Sequence, residues 1–159
     1  MKITFLGHAT LEIQINEFNL LVDPFISGNP MASEINLDDL KPDFILISHA
    51  HQDHTLDVEK LAKDNNSLII SNFEIVSHFQ SKGLNGHPMN HGGKWNFDFG
   101  ELKYVNAIHT STFPDGSNGG QPGGFIITSN NKSIYIAGDT ALTYDMKLIP
   151  INYNLDLAI

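Results

Sequence analysis

A chain of 159 residues with 41% apolar side chains is sized for one domain, spanning 1–159, and excludes an intrinsically disordered segment. Its formal charge is −9 and its nine basic residues are all lysine; an acidic surface without guanidinium groups argues against a nucleic-acid partner. Cysteine is absent, which excludes disulfides and thiolate metal sites.

The opening Met1-Lys2-Ile3-Thr4 becomes polar too early for a secretory signal, and no apolar run reaches membrane-spanning length. The expectation is a cytoplasmic protein without a membrane partner. Lys2 to Leu6, Thr10 to Ile15 and Asn19 to Val22 read as short strands of an antiparallel meander, the second alternating Leu11, Ile13 and Ile15 with polar residues. Residues 26–42, rich in Ser, Gly, Asn, Pro and Asp, read as an irregular connection. Asp43 to Ser48 carries the continuous apolar run Phe44-Ile45-Leu46-Ile47, which suits a strand buried on both faces.

A helix is predicted over Leu56 to Lys63, a buried strand over Ser67 to Ser71, and a helix over Phe73 to Lys82 closed by Gly83. Strands follow at Lys94 to Phe99, Glu101 to Ile108, Gly124 to Thr128 and Ser133 to Ala137. Residues 110–123, with four glycines and two prolines, read as a mobile, lid-like loop. Leu155 to Ile159 reads as the start of another buried strand, without a turn or polar tail, so the chain is expected to be C-terminally incomplete.

The chemistry-bearing feature is His49-Ala50-His51-Gln52-Asp53-His54, directly after the apolar run. Imidazole nitrogen and carboxylate oxygen suit zinc, iron or manganese. His49 and His51 can chelate one ion; Asp53 and His54, one turn further, can face a second. His109 and Asp139 each follow an apolar strand, which makes them candidate further ligands. Asp23 is either a carboxylate supporting a metal-bound histidine or a simple Asp-Pro turn. His8 is either near the site or structural. His78 reads as an ordinary helix residue, and His87 and His91 as structural or as supports for the ligands, not as ligands themselves. Thr110 to Thr112 are candidate hydroxyl donors to substrate.

The order His49-x-His51-x-Asp53-His54, His109 and Gly138-Asp139-Thr140 resembles the metallo-β-lactamase superfamily. Gly7-His8-Ala9-Thr10 and Val22-Asp23-Pro24-Phe25 narrow the resemblance to a bacterial branch of predicted metal-dependent hydrolases near the ascorbate-phosphate lactonases. The resemblance implies an α/β fold, a four-layer αββα sandwich of two mixed sheets with outer helices, its second half incomplete here. It implies two divalent ions (Zn, Mn or Fe). His49, His51 and His109 would hold the first, Asp53 and His54 the second, and Asp139 would bridge them. A last histidine would come from beyond residue 159.

Asp53 and Asp139 are then the expected catalytic residues, with His8, Asp23 and Thr140 supporting the ligands. The expected activity is attack by a metal-bound hydroxide on a small, anionic ester, lactone or phosphodiester. A non-catalytic metal-binding or sensor domain is the alternative. A nuclease comes third, disfavoured by the charge.

Overall fold

The computed structural model describes residues 1–159. Strands β1 (Lys2–Gly7), β2 (Thr10–Ile15) and β3 (Phe18–Val22) pair antiparallel in sequence, as the alternating pattern requires. The connection over 26–42 is more ordered than expected. It contains 3-10 turns at Pro30–Ala32 and Leu37–Asp39, because the side chains of Asn29 and Asn36 accept the N–H groups of Met31 and Asp38.

The chain then enters β4 (Phe44–Leu46), which lies parallel to β3. Helix α1 (Gln52–Thr55) and helix α2 (Val58–Asn65) follow, and Asn66 ends α2 in the left-handed conformation. The helix predicted over Leu56 to Lys63 is α2, shifted by two residues, and α1 is an additional helical turn ahead of it that carries Asp53 and His54. Strand β5 (Leu68–Ser71) lies parallel to β4, helix α3 (Phe73–Gln80) is capped by the Asn72 side chain, and β6 (Gly86–Pro88) completes a six-stranded sheet, β1 to β6 in order. The sequence does not signal β6: its residues lack an apolar pattern, and the strand exists through backbone pairing with β5.

The second sheet holds β7 (Lys94–Phe97), β8 (Gly100–Asn106), β9 (Gly123–Ser129) and β10 (Lys132–Ile136), all antiparallel. After helix α4 (Ile149–Asn152), strand β11 (Leu157–Ala158) adds parallel to β10, giving the order β11-β10-β9-β8-β7. The last strand forms beside β10 as expected, and Leu157 and Ile159 are exposed there at the sheet edge.

The two mixed sheets pack face to face around sixteen buried side chains, among them Ile13, Leu20, Leu46, Phe99, Leu102 and Phe125. The period-2 rule explains the apolar run in β4: Phe44 and Leu46 point between the sheets, while Ile45 and Ile47 point outward to Leu61 of α2 and Ile75 of α3. Full burial of each such side chain contributes about 1.5–3 kcal/mol. Outside the second sheet, only Ile149 of α4 is buried, against Ile126 and Tyr135. No helix is long and apolar enough to cross a membrane.

The loop over 110–123 is pinned. Phe113 is buried and stacks on His78, ring centroids 3.9 Å apart, and the Asn72 carboxamide donates to the carbonyls of Gly119 and Gln121. One aromatic anchor at Phe113 and one carboxamide clamp at Gly119 and Gln121 tie the two ends of the loop down, and residues 114–118 between them are exposed.

Candidate metal centre

Each donor lies just beyond a strand end along one edge of the two sheets. His49 and His51 follow β4, Asp53 and His54 occupy the single turn of α1, His109 follows β8, and Asp139 follows β10. His8 lies in the turn after β1, and Asp23 directly follows β3. The β10 end can approach the β4 end because Gly138 sits at φ +64; a Cβ there would meet Ser48 Cβ at 2.7 Å.

The candidate donors form overlapping clusters. Donor atoms of His49, His51 and His109 lie within 4.8 Å of one another, as do those of His49, His54 and Asp139, and those of His8, Asp53 and His54. His49 Nε2 and His51 Nδ1 are 2.9 Å apart. Asp139 Oδ2 stands 3.6 Å from both His109 Nε2 and His54 Nε2, so this carboxylate sits between the groups. Asp53 Oδ2 is 4.0 Å from His54 Nε2 and 3.0 Å from His8 Nε2.

Asp23 organises the buried side. It is 1% exposed and has φ +45, and its carboxylate accepts from Ser48 N–H at 2.7 Å, Ser48 Oγ–H at 2.6 Å and His54 Nδ1–H at 3.0 Å. Ser48 spends its proton on Asp23, so its oxygen accepts from His49 Nδ1–H at 3.0 Å. Both buried imidazoles therefore turn their Nε2 atoms toward the centre. Thr110 Oγ1 lies 3.2 Å from His51 Nε2, which leaves His51 Nδ1 facing His49. Thr110 thus touches a candidate ligand. Ser111 Oγ accepts the Ala50 N–H, and Thr140 Oγ1 accepts the Ile108 N–H beside His109. Ser48 escaped the sequence reading; its one signal was a hydroxyl immediately before His49.

The electrostatics call for a cation. Burial, helped by the charge of His54, lowers the His49 pKa to about 4, so that ring is neutral with its Nε2 lone pair available. Burial also pulls on His54, but the Asp23 hydrogen bond and charge, with Asp139 and Asp53, prevail and raise its pKa. Burial pushes Asp53 up, yet His54, the local backbone N–H and His8 outweigh it and hold the carboxyl low. His54 Nε2 is buried with no hydrogen-bond partner. An orphaned buried nitrogen among carboxylates is costly unless a positive centre meets it. The residues present fit a divalent ion with nitrogen and oxygen ligands.

The remaining histidines serve packing. His87 lies against Trp95 and Phe97, and His91 Nε2 donates to the Pro122 carbonyl at 2.8 Å.

Comparison with known proteins agrees with this arrangement. The family model of the beta-lactamase superfamily domain matches residues 18–159. A UPF0173 metal-dependent hydrolase of Flavobacterium johnsoniae is 63% identical over 159 residues, covering 100% of this chain and 71% of that protein. A UPF0173 metal-dependent hydrolase of Methylacidiphilum infernorum is 47% identical, with the same coverage of each. The structure of a metallo hydrolase from the archaeon Ignicoccus hospitalis superposes with a TM-score of 0.86 at 30% identity, over 98% of this chain and 68% of that one. Two mixed sheets with histidine and aspartate side chains gathered at one edge, and relatives this similar, place the chain in the metallo-β-lactamase superfamily, among its metal-dependent hydrolases.

Proposed function

We propose that the chain hydrolyses a compact, anionic ester, lactone or phosphodiester with the help of two divalent ions, zinc, manganese or iron. His49, His51 and His109 would hold one, Asp53 and His54 the other, and Asp139 would reach both. The carrying observation is Asp139 Oδ2 standing 3.6 Å from both His54 Nε2 and His109 Nε2, the first of which is buried without a hydrogen-bond partner. Such ions supply an acidified water and a Lewis acid for the charge that develops on the substrate oxygen.

The chain's own residues divide the remaining work. His49 and His54 are fully buried, while the side chains of His109, Asp139 and Asp53 are 35%, 39% and 47% exposed, so substrate arrives on the Asp53 and Asp139 side. Asp53 is held ionised and half open to solvent, which suits it to accept a hydrogen bond from the attacking water and so orient it. The Asp23–Ser48 pair fixes the two buried rings, so no reorganisation is needed when substrate binds. A positive centre in an otherwise acidic chain concentrates anions locally, which favours an anionic small molecule over a nucleic acid.

Protein loaded with zinc or manganese is expected to cleave nitrophenyl esters, simple lactones or bis-nitrophenyl phosphate, and His51→Ala to reduce turnover to background. Turnover that survives both chelation and this substitution removes the proposal.

A further inference from the structure

The turn between β1 and β2 places a histidine where the backbone disfavours one. Gly7 pairs with Thr10, leaving His8 and Ala9 as the loop, and His8 adopts φ +53. Glycine or asparagine would occupy this left-handed position with less strain. The turn is also fastened to the site: Thr10 Oγ1 donates to the Asp23 carbonyl at 2.8 Å and accepts the Phe25 N–H at 3.0 Å. Phe25 meets the His8 ring edge-on at 5.7 Å.

So held, the ring points at the Asp53 end of the centre. His8 Nε2 is 3.0 Å from Asp53 Oδ2, and its ring centroid lies 5.0 Å from that of His54. The donor atoms of His8, Asp53 and His54 all lie within 4.8 Å of one another. Two donors on one zinc ion stand at most about 4.2 Å apart, a separation that a small rotation of the half-exposed His8 and Asp53 side chains reaches. A cavity of about 200 Å³, lined by the apolar Phe5, Leu11 and Ile136 as well as by His8, Asp23 and Asp139, opens beside the His8 ring.

We propose that His8 is a metal ligand, giving the ion at Asp53 and His54 a nitrogen donor from the β1–β2 turn. The inference rests on the metal-binding reading above. It differs from a positioning role, in which His8 merely hydrogen-bonds Asp53, and glutamine separates the two because it keeps a donor toward Asp53 but binds zinc poorly.

The test compares wild type, His8→Gln, His8→Asn and His51→Ala by metal content, zinc titration calorimetry and proton NMR of cobalt-loaded protein. Circular dichroism of the metal-free forms checks folding, and asparagine suits the left-handed turn. The expected result is that both His8 variants weaken one of two ions by about tenfold or more and lose one hyperfine-shifted imidazole N–H signal. His51→Ala is expected to weaken the other ion instead. His8→Gln binding both ions as wild type does, with every shifted signal intact, overturns the proposal, as does a wild type that holds a single ion. Wild type binding no ion at all overturns the metal reading itself.

Discussion

The two sheets contribute differently to the centre they share. The first sheet delivers His49 and His54 fully buried, their rings fixed through Ser48 and Asp23. It is covered on both faces, by the second sheet and by α2 and α3. The second sheet delivers His109 and Asp139, both about one third exposed, with no shorter side-chain contact between them than 3.6 Å. Its outer face buries only Ile126 and Tyr135 under Ile149. One half of the centre is held by the protein's own hydrogen bonds; the other half is positioned by backbone and would be completed by ligation.

The largest expected effect that can break this contrast is on stability. Leu46→Ala, which hollows the core between the sheets at a fully buried position, is expected to cost about 2–5 kcal/mol in chemical denaturation. Ile149→Ala, in the small outer cluster, is expected to cost no more than about 2 kcal/mol. Equal losses would show that the second sheet is as well supported as the first.

Next comes the polar support. Asp23→Asn keeps the shape but gives its carboxamide a donor where only acceptors fit. Zinc affinity is expected to fall about 10–100-fold at both ions, read by competition with a chromophoric chelator. Thr140→Val, which removes the acceptor of the Ile108 N–H and the donor to the Ala141 carbonyl on the second-sheet side, is expected to change affinity severalfold at most. A larger loss in Thr140→Val would reverse the assignment of the rigid half.

The smallest effect concerns the pinned loop. Burial, with the charge of Lys82, lowers the pKa of His78 below its ordinary value. The unfolded chain therefore binds this proton more readily. The neutral ring's contribution to stability is present above about pH 6.5 and is lost as pH falls toward the folded value. His78→Leu is expected to flatten that acid limb by a few tenths of a kcal/mol, because the ring is partly exposed. An unchanged slope between pH 7 and 5 would mean that burial does not hold His78 below its ordinary pKa in the folded state.

Much of the framework is legible in the residues because it follows from local pattern. Phe44-Ile45-Leu46-Ile47 announced a strand with two buried faces, Leu11, Ile13 and Ile15 announced a half-buried one, and the histidine run directly after β4 announced a centre at a strand end. What escaped depends on partners distant in sequence. The β6 pairing is made by backbone atoms of Gly86 to Pro88 that carry no side-chain signature. Ser48 is unremarkable until Asp23 is beside it. The loop over 110–123 looked loose because its composition reports intrinsic freedom, while its order comes from Asn72 and from a slot for Phe113 on α3.

The spacing of the donors along the chain has a consequence for folding. His49 and His109 come from different sheets, and Asp139 from a later strand still. No short stretch of unfolded chain gathers them, so an ion held by all three would act as a reversible cross-link across the sandwich. At a free concentration one hundred times its dissociation constant, such a ligand adds about 2.7 kcal/mol to the folded state. Metal supply would then govern how long the molecule lasts as well as how fast it works.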